Sequence, residues 1–130
     1  MRNYKKIEAW LLASDLVVSI YTITGRFPAQ ERFGLIAQIR RSAVSVLANI
    51  AEGASRQHLK DYLQFLYIAK GSLSETEALL CISERLVFLN QPAFQKLAMM
   101  CDKTARCLFG LIRAVEFEVR SPVNQGGTDA

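Results

Sequence analysis

Apolar residues recur at three- and four-residue intervals through almost the whole chain, and only Pro28, Pro92 and Pro122 interrupt it as prolines. That interval is the period of one face of an α-helix. No stretch rich in Val, Ile and Thr alternates at a period of two, so strands are not expected. With the prolines as punctuation, four helices are expected, at about residues 8–24, 29–54, 57–89 and 91–118. Trp10, Ala13, Val17, Ile20 and Thr24 share one face of the first, and Gly25 follows as its C-terminal cap. Asn90 or Gln91 caps the fourth, with Pro92 in its first turn and Phe94, Leu97, Cys101, Ala105 or Leu108, Ile112 and Val115 on its core side. Short connections force neighbouring helices to run antiparallel. The expected fold is therefore all-α, an up-down-up-down antiparallel four-helix bundle over residues 1–119. The polar, glycine-bearing segment 120–130 reads as a disordered tail.

Composition narrows the function classes. Half of the 130 residues are hydrophobic, enough for one packed core, and 16 Lys+Arg against 12 Asp+Glu tilt the chain mildly toward anionic partners. Cys81, Cys101 and Cys107 are odd in number and form no CxxC pair, which fits neither a disulfide framework nor a zinc ribbon. A reducing cytoplasm is the expected setting. The start MRNYKKIEAW lacks the apolar core of a signal peptide, and no apolar run reaches the ~18 residues of a membrane span.

The third helix carries more apolar surface than one bundle core requires. One stripe holds Leu59, Tyr62, Leu66, Ala69, Leu73, Leu80 and Val87, with Thr76 and Ser83 in register. A second holds Phe65, Ile68, Ser72, Glu75, Leu79, Ile82 and Leu86. Both follow heptad spacing. The second stripe is expected to form a homo-oligomer interface through Phe65, Ile68, Ser72, Leu79, Ile82 and Leu86; the competing explanation is one wide core-facing surface.

In the second helix, Ile36, Ile39, Ala43, Leu47, Ile50 and Ala54 define the apolar sector, and Arg40 falls inside it. Glu75 falls inside the second stripe of the third helix. A buried charge needs a partner, so Arg40 and Glu75 are expected to form a buried ion pair, within one protomer or between two. The alternative is that Arg40 extends its head to water. Gln38, Ser42, Ser45, Asn49 and Glu52 line the other side at heptad intervals. They form either a solvated face or a packed polar seam whose small residues admit another helix.

FPAQERFGLIAQIRRSAVSVLANIAEGASR (27–56), followed by FLYIAKGSLSETEALL (65–80), resembles the bacterial four-helix-bundle family first noted in intervening sequences of 23S ribosomal RNA genes. That family includes the accessory variability proteins of diversity-generating retroelements. The similarity runs from YKKIEAW through the fourth helix. Leu47 departs from it, standing where many relatives place a proline before NIAEG. The resemblance implies a cytoplasmic bundle assembled as a ring-like homopentamer, with a basic surface for nucleic acid and no known catalysis. In the retroelement branch it implies a reverse transcriptase as partner.

Enzyme chemistry finds little footing. His58 is the single histidine, Glu75 and Glu77 face different sides of their helix, and Gly126-Gly127 precedes no helix. No catalytic residue, cofactor or metal is expected. Basic residues remain. Lys96, Lys103, Arg106 and Arg113 lie opposite the core side of the fourth helix, with Met99, Phe109 and Phe117 offering apolar contact. Arg41, Arg56 and Lys60 are expected to gather near the turn between the second and third helices. Such stripes track phosphates without reading sequence. The expected function is thus a non-enzymatic oligomer binding RNA, DNA or a nucleic-acid-processing protein; the alternative is a protein-only scaffold.

Overall fold

The computed structural model describes residues 2–121. Four α-helices make the fold: α1 (Glu8–Thr24), α2 (Leu35–Ala54), α3 (Leu59–Arg85) and α4 (Gln91–Arg120). Among the described residues there is no strand. Single 3-10 turns at Tyr4–Lys6 and Ala29–Glu31 precede α1 and α2. Each helix packs against two others, in the cyclic order α1–α2–α3–α4. Side-chain pairings show the sense of the seams. Ser42 meets Thr76 and Ser45 meets Ser72, so numbers fall along α3 as they rise along α2. All four helices contribute large buried residues to the core, among them Leu16, Ile20, Ile39, Ile50, Leu66, Leu80, Leu97 and Leu108.

The ends of the helices follow from local chemistry. Pro28 does not open α2 as expected. The chain makes a 3-10 turn at Ala29–Glu31, and α2 begins only at Leu35. Gly34 precedes it without a capping side chain, so Glu31 supplies the cap, its Oε1 accepting from Leu35 N–H at 3.2 Å. Asn90 caps α4 by accepting from Ala93 N–H at 2.9 Å. Gly25 does terminate α1, though in right-handed rather than left-handed geometry. α2 runs unbroken through Leu47.

α3 ends four residues earlier than expected, in a Schellman turn. Phe88 N–H bonds Ser83 C=O and Val87 N–H bonds Glu84 C=O. Val87 occupies the left-handed position at φ 64°, usually given to glycine. It therefore leaves the α3 core stripe and is 84% exposed, while Phe88 turns in to pack on Phe27 with ring centroids 5.9 Å apart. At the other end of the chain, α4 takes in Arg120, the first residue of the expected tail; residues 122–130 of that tail lie outside the described residues.

The polar stripe of α2 is a packed seam over Ser42 and Ser45. Ser42 is buried and lies 2.8 Å from Thr76 Oγ1; Ser45 lies 2.8 Å from Ser72 Oγ, and Asn49 donates to Ser45. The helix admitted is α3 of the same chain. Gly53 marks the tightest approach: a Cβ there would sit 2.8 Å from Phe65 Cβ and 3.1 Å from Tyr62 O.

Arg40 is partnered by α1. Its Nε donates to Thr24 Oγ1 at 3.0 Å and its Nη2 to Tyr21 C=O at 3.2 Å, with the guanidinium 4.4 Å from the Tyr21 ring centroid. Glu75 is exposed on α3. The expected Arg40–Glu75 ion pair is therefore not formed within the chain. A backbone carbonyl and a hydroxyl accept from the guanidinium, and no carboxylate is among these partners.

Candidate nucleic-acid interface

α4 presents its basic residues as a line. Lys96, Lys103, Arg106 and Arg113 are all exposed, at intervals of seven, three and seven residues. Heptad-related positions lie on one face. The line spans about 25 Å at ~1.5 Å per residue. Met99 and Phe117 share it, 73% and 69% exposed, and Arg120 extends it. Arg106 is engaged by Asp102 across one turn at 2.7 Å, with both side chains largely in solvent. Such a pair is weak and opens readily.

Packing adds a cation that sequence spacing does not point to. Lys70 of α3 reaches over the Phe109 ring, Nζ 5.9 Å from its centroid, and Arg113 approaches the same ring at 5.6 Å. Lys70, Glu77, Arg106 and Phe109 rim an open, largely apolar groove of about 350 Å³ between α3 and α4. Further along the seam, Tyr67 donates to Glu116 Oε2 at 2.5 Å. That bond holds the phenol protonated, pushing its pKa above the usual value.

The second expected cluster divides. Arg56 and Lys60 flank the α2–α3 turn, where Arg56 pairs with Glu52 at 2.7 Å and lies 4.7 Å from the Phe65 ring centroid. Arg2 joins them, donating to Arg56 C=O at 2.8 Å and covering Tyr62 at 4.4 Å. Arg41 does not join. It lies fifteen residues back along α2, about 22 Å away at the helical rise, beside Arg32, Phe33 and Arg40 in the groove between α1 and α2. Phe33 is 89% exposed there.

The expected oligomer stripe also divides. Phe65 packs against Gly53, Ser72 bonds Ser45, and Leu79 packs on the core, so all three are engaged within the chain. Ile68, Ile82 and Leu86 remain outward, 51%, 40% and 50% exposed. α3 is wide because it packs against α2 as well as α4, and that accounts for half of the second stripe.

His58 is exposed just before α3 and makes no capping bond. Burial pushes the Cys101 thiol up to about 12, and raises Cys107 less, while Cys81 is exposed. Among the described residues, no group of three or more His, Cys, Asp and Glu side chains is placed to hold a metal ion. None of the described helices is long and apolar enough to cross a membrane.

A solved structure from Bacteroides thetaiotaomicron, a protein of unknown function from the S23 ribosomal protein family, is similar to this chain. The TM-score is 0.74 at 24% identity, over 81% of this chain and 95% of that one. That likeness concerns the fold. No curated protein matches the chain. The family model described as 23S rRNA-intervening sequence protein matches residues 5–110, which takes in α1, α2, α3 and most of α4. The chain belongs to the 23S rRNA-intervening sequence protein family.

Proposed function

We propose that this chain is a non-enzymatic, cytoplasmic, up-down-up-down bundle that assembles into a ring-like homo-oligomer and binds nucleic acid through α4. The observation that carries the nucleic-acid reading is the exposed line Lys96, Lys103, Arg106 and Arg113, with exposed Met99 inside it and exposed Phe117 one turn beyond it. Cations at these intervals contact phosphates, and the apolar residues can meet sugars or unpaired bases. Lys70 widens the line onto α3. Assembly multiplies each modest patch into an avid surface. A nucleic-acid-processing protein such as a reverse transcriptase would share the same strand.

Salt-titrated binding to RNA, single-stranded DNA and an RNA–DNA hybrid tests this. Affinity should fall steeply with salt, and neutralising Lys103 and Arg113 together should lower the salt slope by about two, one per lost phosphate contact. Absence of binding at low salt rejects the reading. It would leave a protein-only scaffold, for which exposed Met99 and Phe117 supply the apolar contact.

A further inference from the structure

Two helix faces turned away from the core each carry one charge without an ion-pair partner within an otherwise uncharged strip, and the charges are opposite. On α2 the strip is Ala37, Arg41, Val44 and Ala48. On α3 it is Ile68, Gly71, Glu75, Ala78 and Ile82. Both strips keep the alternating three-and-four spacing of a helix-packing seam. Ile68 and Ile82 are 51% and 40% exposed, unusual for isoleucines placed a regular distance apart on one solvent face. Among the described residues, neither Arg41 nor Glu75 has an ion-pair partner in its own chain.

We infer that Arg41 of one copy pairs with Glu75 of the next copy, at the centre of a heterologous contact between the outward faces of α2 and α3. The inference rests on the oligomeric reading above and names its interface. α2 and α3 run antiparallel within the chain. Rotation about an axis along the bundle preserves helix direction, so α2 of one copy meets α3 of the next in antiparallel fashion too. With Arg41 set against Glu75, the same register sets Val44 against Gly71 and Ala48 against Ile68. These two pairings put a larger side chain against a small one, and the register sets Ala37 against Ala78 on the other side of the charge, small against small. Gly71 has the room: a Cβ there would meet nothing within 4 Å in its own chain. Two different faces in contact are what a closed ring requires, whereas a two-fold dimer reuses one self-complementary patch. Surrounding apolar residues exclude water from the ion pair, so it sets register as well as attraction.

Light scattering on the purified full chain tests the assignment. The wild type should run at a multiple of 14.6 kDa. Arg41→Glu and Glu75→Arg should each fall to the monomer mass with unchanged helical circular dichroism. The double variant Arg41→Glu/Glu75→Arg should regain the wild-type mass. Gly71→Trp, whose added Cβ meets nothing in its own chain, should also be monomeric with unchanged helical circular dichroism, while Gly110→Trp, whose Cβ is equally free on α4, should keep the wild-type mass. A wild type that is monomeric at all concentrations overturns the oligomeric reading itself. An oligomeric wild type whose single charge reversals keep its mass overturns this interface alone, as does a double variant that stays monomeric.

Discussion

Ser42 Oγ and Thr76 Oγ1 lie 2.8 Å apart in the buried seam between α2 and α3. Each hydroxyl is also within bonding distance of a carbonyl in its own helix, Ser42 with Ile39 O at 3.0 Å and Thr76 with Ser72 O at 2.9 Å. Two protons serve three contacts. Ser42→Ala should therefore cost only about 1 kcal/mol, because Thr76 retains its carbonyl. Thr76→Val should cost a similar amount. The double variant should be more stable than the sum of the two losses predicts, by roughly 0.5–1 kcal/mol, since the shared Ser42–Thr76 contact is already lost in either single variant and is lost only once in the double. Urea unfolding of the four proteins measures this.

Glycines separate two kinds of helix surface. Gly53→Ala brings a Cβ to 2.8 Å from Phe65 Cβ and 3.1 Å from a backbone oxygen. The helix propensity gained, about 1 kcal/mol, is outweighed by an overpacking cost of ~1–3 kcal/mol. The expected result is a less stable protein. Gly110→Ala meets nothing within 4 Å and should stabilise by about 0.5–1 kcal/mol. Thermal melts of both variants give the two signs.

Arg40 and Thr24 should be coupled, and Arg40 and Glu75 should not. Arg40→Met removes the bonds to Thr24 Oγ1 and Tyr21 O and should cost ~1.5–3 kcal/mol, as for hydrogen bonds to a charged group. A double-mutant cycle with Thr24→Val should show a non-zero interaction energy. The cycle with Glu75→Ala should be additive to within about 0.5 kcal/mol.

Val87 sits in left-handed backbone, at φ 64°, where a β-branched side chain costs on the order of 1–3 kcal/mol. The side chain is largely in solvent, so little packing offsets that strain. Val87→Gly should raise the unfolding free energy by about 1 kcal/mol with no change in helix content. Chemical denaturation read by circular dichroism checks both.

Alkaline stability should depend on Cys101. Burial raises its thiol to about 12, with the Glu77 charge adding to the effect. In the unfolded chain the thiol ionises near 8.5. The folded state therefore binds the proton more tightly, and its stabilising contribution is complete below the unfolded value. It is lost as pH rises from about 8.5 toward 12. Cys101→Ala should flatten the decline across that window, though at a lower starting stability. In the wild type at neutral pH, iodoacetamide should label exposed Cys81 first and buried Cys101 last, as followed by mass spectrometry.

Much of this bundle is legible in the amino-acid order. The bounds of α1 and the start of α4 follow from periodicity, Asn90 and Pro92. The start of α2 does not, because Pro28 fits a 3-10 turn as well as a helix N-terminus. The end of α3 is hidden by Leu86, Val87 and Phe88, which keep the apolar pattern while the backbone turns through Val87. Arg40 is correctly placed inside the apolar sector, yet its partner includes the Tyr21 carbonyl. Backbone acceptors leave no trace in residue identity. The α4 line is visible in its spacing. Lys70 is not, because only the packing of α3 on α4 carries it to Phe109.

The cyclic packing order has a kinetic consequence. Three of the four seams join helices consecutive in the chain, and only α1 against α4 brings distant segments together. Hairpin-local contacts form at small loop-closure cost, so folding should fall in the microsecond-to-millisecond class of helical bundles, which stopped-flow or temperature-jump kinetics checks. The α1–α4 seam carries the largest closure entropy. It should form last, with Leu16 and Leu97 still mobile when Ser42 has already found Thr76.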